Sequence, residues 1–135
     1  MLEAKKLELL EKYIQELIDE NQATPVIVEG DADKFALRNL GLSGEILVLN
    51  SGFPLSVFVE NVVKNYKRVI LLLDWDRKGF NLTVKIVKFF QANDVVVMLA
   101  FWDRIRELVS KDIKDVESLP SLITRLNEKT RNIDT

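Results

Sequence analysis

The run Val69-Ile70-Leu71-Leu72-Leu73, which stops at Asp74-Trp75-Asp76-Arg77-Lys78-Gly79, constrains the fold more than any other stretch of this chain. Five apolar residues in succession, with no polar alternation, suit a strand covered on both faces, as in a parallel sheet packed between helices. If the extended backbone continues, Asp74 and Asp76 share one face, roughly 6.6 Å apart along the strand, and Trp75 lies on the other. In open α/β sheets ligands gather at the carboxyl ends of strands. Two acids at that position either begin a turn or belong to a site, and only the rest of the chain can separate those readings.

Three further apolar runs have the same form. Pro25-Val26-Ile27-Val28 ends in Glu29-Gly30, Ile46-Leu47-Val48-Leu49 ends in Asn50-Ser51-Gly52, and Val95 to about Leu99 is continuous. Helical spacing fills the intervals. Phe35, Ala36, Leu37 and Leu40 mark one helix, closed by Gly41. Leu55, Phe58, Val59, Val62 and Val63 mark a second, with Pro54 in its first turn. Leu82, Ile86, Phe89 and Phe90 mark a third, with Lys85 and Lys88 on its other side. Strands alternating with helices of this length specify an α/β fold, a Rossmann-like open parallel four-stranded sheet flanked by helices on both faces. Leu7, Leu10, Tyr13, Ile14, Leu17 and Ile18 add an amphipathic N-terminal helix that ends before Pro25. The tail beyond Trp102 is charged, lacks strand-like runs and is expected to fold back as helices. Within it, Lys111 to Glu117 is expected to be a solvated surface, Pro120 to open a last helix, and Lys129 onward to fray. The expected organisation is a single domain, with an N-terminal helix over residues 1–24, a core over 25–100 and a helical C-terminal extension over 101–135.

Composition narrows the chemistry. There is no cysteine and no histidine, which removes thiol nucleophiles, disulfides, imidazole bases and the usual zinc ligands. A metal would have to be held by oxygen, which points to Mg²⁺, with Mn²⁺ possible. The longest uncharged apolar stretch, Val95 to Trp102, is eight residues, against the roughly 20 that a membrane span needs. The charged segment Met1 to Lys6 does not resemble a signal peptide, so a cytoplasmic protein without a membrane partner is expected. The formal net charge is -2, so a nucleic-acid partner would have to meet a local basic patch or a metal bridge.

If the strands ending in Glu29 and in Asp74 and Asp76 are neighbours, three carboxylates meet at one edge. Crowded carboxylates raise one another's pKa or recruit a cation, and Mg²⁺ binds through one or two carboxylates together with waters and substrate phosphates. Asp31 and Asp33 follow Glu29 closely, and at least one of them is expected to cap the next helix. Lys34, Arg38, Arg77 and Lys78 lie just beyond the same strand ends, where they could meet a polyanion or neutralise the acids. Gly30, Asn50, Ser51 and Gly52 are candidate phosphate-contacting loop residues. No lysine-bearing P-loop or dinucleotide fingerprint is present.

Three segments, Val26-Ile27-Val28-Glu29-Gly30, Asn50-Ser51-Gly52 and Leu72-Leu73-Asp74-Trp75-Asp76-Arg77-Lys78-Gly79, together resemble the Toprim domain shared by topoisomerases and bacterial-type primases. The resemblance runs from about Pro25 to Ala100. In size, and from Glu29 through Gly41, the chain is similar to small stand-alone Toprim proteins and ribosomal-RNA maturation nucleases. The resemblance implies Mg²⁺ ligands at Asp74 and Asp76, a general acid or base at Glu29 that can join the metal set, and the making or breaking of phosphodiester bonds. It implies nucleic acid as partner, RNA ahead of DNA, with protein partners in a processing complex also possible. Tyr13 and Tyr66 fall at helix or helix-end positions and no cysteine-rich module is present, so a complete topoisomerase or primase is not expected. The expected activity is a Mg²⁺-dependent RNA nuclease. The alternative is a non-catalytic nucleic-acid-binding or scaffold subunit of an RNA-processing or DNA-repair complex. An aspartyl-phosphate phosphatase, which also uses D-x-D, fits poorly because Glu29 would have no role.

Overall fold

The apolar runs form four short strands, β1 (Val26–Val28), β2 (Ile46–Val48), β3 (Arg68–Leu71) and β4 (Val96–Met98), in the computed structural model, which describes residues 2–134. The helices are α1 (Glu3–Asn21), α2 (Asp31–Leu40), α3 (Leu55–Asn65), α4 (Arg77–Ala92), α5 (Ala100–Val109) and α6 (Leu119–Asp134). All strand pairings are parallel and the order across the sheet is β2-β1-β3-β4. The chain steps from β1 outward to β2, crosses back over β1 to β3, then steps outward the other way to β4. The switch point therefore falls between β1 and β3, which pair with Val26 opposite Ile70 and Ile27 opposite Leu71.

The two-residue alternation of each strand divides the core. Val26, Val28, Ile70 and Leu72 face the layer built from α1, α2, α5 and α6, while Ile27, Val69, Leu71 and Leu73 face α3 and α4. The central strands are sealed on both sides, and each fully buried leucine or isoleucine contributes about 1.5–3 kcal/mol relative to an exposed one. The expectation of an α/β sheet with helices on both faces holds.

Local chemistry explains the joints. Gly41 closes α2 in the left-handed region, φ 112°. Buried Asn21 ties the end of α1 to the next connection, donating to the carbonyls of Thr24 and Glu45 and accepting from the amide of Gly44. Pro54 stands one position earlier than expected, at the N-cap of α3. Two expectations about the tail need correction. Helix α6 continues to Asp134 rather than fraying from Lys129, because Leu119, Leu122 and Leu126 anchor it in the core beside α1. The segment from Lys111 to Glu117 is more than solvated surface, since its backbone docks on the carboxyl edge of the sheet. No helix among the described residues is long and apolar enough to cross a membrane.

Candidate active site

Glu29 and Asp74 meet at the switch point. Because Ile27 pairs with Leu71, Glu29 stands level with Leu73, and the amide of Asp74 is left to donate to the Glu29 side chain, 3.3 Å to Oε1. Glu29 is 8% exposed although it is an acid. Behind the pair, the first turn of α4 approaches so closely that a Cβ on Gly79 would lie 2.1 Å from the Asp74 carbonyl oxygen and 2.9 Å from Glu29 Oε1. Only glycine permits that approach.

The strand ends earlier than the leucine run suggests. Leu72 still donates to Ile27, but Asp74 and Asp76 lie in the turn into α4 rather than on one extended face. Asp76 is the N-cap of α4, its Oδ1 accepting from the Gly79 amide at 2.7 Å. Asp76 thus begins a helix, and its charge also helps to raise the pKa of Glu29.

Asp33 belongs to the same cluster, a participation that capping alone does not describe. It is 6% exposed, and its Oδ2 accepts from the amide of Gly30 at 3.1 Å, which caps α2 from within its first turn. Its Oδ1 accepts from the amide of Glu117 at 3.1 Å, and Asp74 Oδ1 accepts from the amide of Val116 at 3.0 Å. The connection between α5 and α6 therefore lies across the acids. It is pinned by Trp75, whose Nε1 donates to the Ile113 carbonyl at 2.6 Å and whose amide donates to that of Lys114 at 3.0 Å. Neither the Asp33 contact with Glu117 nor this docking had a sequence signal, because backbone donors carry no side-chain pattern.

Burial is the chief force on these acids. Desolvation pushes the Asp74 carboxyl up to about 7; the Val116 amide opposes the shift, while the charges of Asp33, Glu29 and Asp115 reinforce it. Glu29 is also raised by burial, opposed by the Asp74 amide, reinforced by Asp76 and relieved by Lys78. Asp33 is raised by burial too, against the amides of Gly30 and Glu117.

The basic residues divide. Arg77 and Lys78 are exposed in the first turn of α4, beside the acids, and Lys34 is half-buried in the first turn of α2. Arg38 stands at the other end of α2 from Lys34. It lies in the last turn of α2, where its Nη1 donates to the carbonyls of Leu42 and Gly44 at 3.0 and 2.6 Å and holds the connection to β2. The Gly30 amide donates to Asp33 Oδ2. Asn50, Ser51 and Gly52 are exposed beyond β2, with the Asn50 amide bound to the Glu29 carbonyl. Tyr66 is remote from the acids: its hydroxyl donates to Glu45, which holds its pKa up at about 12, the wrong direction for a nucleophile.

Residues 24–117 match the Toprim domain. The chain belongs to the Toprim family. It is 34% identical over 127 residues to a UPF0292 protein of Methanosarcina barkeri, an alignment spanning 93% of this chain and 88% of the relative. It is 40% identical over 117 residues to a UPF0292 protein of Thermococcus kodakarensis, spanning 85% and 86%. A solved structure of a protein from Aquifex aeolicus superposes with a TM-score of 0.68 at 26% identity, covering 82% of this chain and 97% of that one. These comparisons support the Toprim resemblance, and none of these names extends it to ribosomal-RNA maturation nucleases. Toprim membership carries metal-dependent chemistry on nucleic acid, with Mg²⁺ the typical ion.

Donor chemistry here suits such an ion. The acids are all-oxygen donors, and Glu29 and Asp74 are both raised in pKa, chiefly by burial and further by the charges of neighbouring acids, which a cation would offset. Among the described residues no group of three acids converges into a cage. Mg²⁺ does not require one, since it keeps several waters and takes one or two carboxylates.

Proposed function

We propose that this Toprim protein is a Mg²⁺-dependent nuclease that cuts RNA internally, with Asp74 and Asp76 as the metal-holding carboxylates and Glu29 as the residue that moves the proton and can join the metal set. The observation that carries the reading is the meeting of Glu29 and Asp74, 3.3 Å from carboxylate to amide, at the switch point between β1 and β3. The metal, Mg²⁺ or Mn²⁺, would supply neutralisation of charge on the phosphoryl oxygens and on the leaving group. This chain's own residues do the rest. Glu29, buried among acids with its pKa raised, can hold a proton closer to neutral pH than an ordinary glutamate, as proton transfer to a leaving oxygen requires. The Asp74 amide fixes which carboxylate oxygen of Glu29 is engaged and leaves Oε2 for the substrate. Lys34, Arg77 and Lys78 would counter the phosphate backbone, and Asn50, Ser51 and Gly52 offer small polar contacts at the neighbouring strand end. RNA is proposed ahead of DNA from the resemblance carried by Glu29 through Gly41, and the cytoplasm as the place of action.

A second reading, a non-catalytic nucleic-acid-binding or scaffold subunit of a processing complex, draws on the amides of Val116 and Glu117, which already occupy one oxygen each of Asp74 and Asp33. The discriminating assay incubates structured and unstructured RNA and DNA with the full chain in Mg²⁺ or Mn²⁺, comparing wild type with Glu29→Gln and Asp74→Asn. Cleavage by the wild type, reduced at least 100-fold in both variants, is the expected result. Equal activity in all three proteins would remove the catalytic assignment.

A further inference from the structure

The acid cluster opens onto a second feature. Along α4, Lys78, Asn81, Leu82, Lys85, Lys88 and Phe89 recur at three- and four-residue spacing and share one face. That face lines two hollows. An open cleft of about 630 Å³ lies against Arg77, Lys78, Asn81, Leu82 and Lys85. A groove of about 520 Å³ lies between α4 and α3, with Leu55, Val59, Ile86 and Phe89 along it and Ser56, Lys85 and Lys88 also lining it. Lys85 lines both, so the two hollows are neighbours along this face, a trough whose lining spans roughly 16 Å along the helix from Lys78 to Phe89 at 1.5 Å per residue. Its near end lies by the site, because Lys78 is in the first turn of α4, two residues beyond the N-cap Asp76.

Charge says what the trough fits. Four of the chain's 19 basic residues lie on α4 and none of its 21 acidic ones does, although the chain as a whole is acidic. The α3 wall at Leu55, Ser56 and Val59 is uncharged. Lysines beside an apolar lining match a polymer that offers anions along its backbone and flat apolar groups beside them. A duplex hides its base faces and could use only the lysines, whereas an unpaired strand could also lay bases against the apolar lining.

We propose that this trough seats an unpaired nucleic-acid strand, with Lys78, Lys85 and Lys88 on phosphates and the bases against Leu55 and Phe89. The inference rests on the nucleic-acid reading above and names its substrate class. It is tested without catalysis, by fluorescence anisotropy of the full chain in chelator with a labelled, unstructured single-stranded RNA and with a duplex of the same length. Wild type binds the single strand at least tenfold tighter. Lys85→Glu with Lys88→Glu weakens that binding at least tenfold and flattens the dependence of log K on log salt by about 1.4, at about 0.7 per lost phosphate contact on a single strand. Phe89→Ala, which removes an apolar side chain from the groove, weakens binding about tenfold without changing the salt slope.

Equal affinity for duplex, or variants that bind as the wild type does, would overturn the proposal. So would an absence of strand binding together with self-association that Phe89→Ala abolishes, which would make the trough a protein contact. The two readings fail separately. Cleavage dependent on Glu29 and Asp74 that is untouched by the trough variants sinks only the trough, whereas trough-dependent binding with no cleavage sinks only the nuclease.

Discussion

Replacing Gly79 by alanine sets two effects of opposite sign against each other. Within a helix, Gly→Ala is favourable by about 0.8–1.0 kcal/mol through backbone entropy. Gly79, however, is the third residue of α4, and the added Cβ would stand 2.1 Å from the Asp74 carbonyl oxygen, 2.6 Å from its carbonyl carbon and 2.9 Å from Glu29 Oε1. Carbon atoms rest about 3.5–4.0 Å apart at their optimum, so the helix and the turn must separate by more than about 1 Å. No rotamer can relieve a clash with backbone, and Asp74 is held on both sides, by Glu29 through its amide and by Val116 through its carboxylate. Overpacking of this kind typically costs about 1–3 kcal/mol. Taking the upper part of that range and subtracting the helix gain leaves a net loss of about 1–2 kcal/mol, or a fall of about 4–8 °C in Tm for a chain of this size. The same displacement separates Asp74 from Glu29, and a shift of about 1 Å in a reacting constellation can cost about 100-fold in rate. Thermal unfolding followed by circular dichroism reads the first effect, and RNA cleavage well below Tm reads the second. An alanine variant with a raised Tm, as helix propensity alone demands, would refute the close packing of α4 on the acid pair.

Two further outcomes follow from the site. Burial raises the folded-state pKa of Asp74 to about 7, and those of Glu29 and Asp33 in the same direction, so the native state holds these protons more tightly than the unfolded chain does. The stability gained from the neutral carboxyl is complete below the ordinary aspartate value of 3.8 and is lost as pH rises through about 7. In chelator, the Tm of Asp74→Asn should therefore rise relative to that of wild type as pH rises from 3.8 to about 7; parallel profiles over that range would show that Asp74 titrates normally. Trp75→Phe keeps an aromatic ring but removes the 2.6 Å bond to the Ile113 carbonyl, at a cost of about 1 kcal/mol. Amide exchange at Val116 and Glu117 should accelerate in that variant, and unchanged protection would mean that Trp75 does not hold the segment.

The sheet was legible because its strands are buried on both faces, a condition that writes itself into sequence as unbroken apolar runs such as Val69 to Leu73. The neighbouring of β1 and β3, on which the three-acid site depends, was a conditional statement that periodicity could not settle, since strand order is decided by crossovers and not by local pattern. Asp74 and Asp76 were readable as a pair but not as a geometry. Apolar character continues through Leu73, whereas ladder pairing stops at Leu71 because the chain must turn into α4. Arg38 carries a role that spacing did not reveal, since its Nη1 holds the carbonyls of Leu42 and Gly44 beyond the end of α2. The role of residues 113–118 was invisible because it rests on backbone amides and carbonyls, which every residue possesses.

That segment alters what the acid cluster can be. Carboxylates held together at low exposure need donors, and the amides of Val116 and Glu117, adjacent in sequence, reach Asp74 and Asp33 respectively. Asp33 then has both oxygens engaged, one by Gly30 and one by Glu117, so it supports the cluster electrostatically and has little left to offer a ligand. Asp74 and Glu29 each spend one oxygen on a backbone amide and keep the other without a protein donor among the described residues. The division of labour within the acids is therefore set largely from outside the strands. The segment is in turn held by Trp75, while α5 reaches the same edge through Trp102, whose Nε1 donates to the Leu73 carbonyl at 2.9 Å. A carboxyl edge clamped on both sides of Asp74, at Leu73 and at Trp75, ties the helical extension to the site through two indole-to-carbonyl hydrogen bonds as well as through packing.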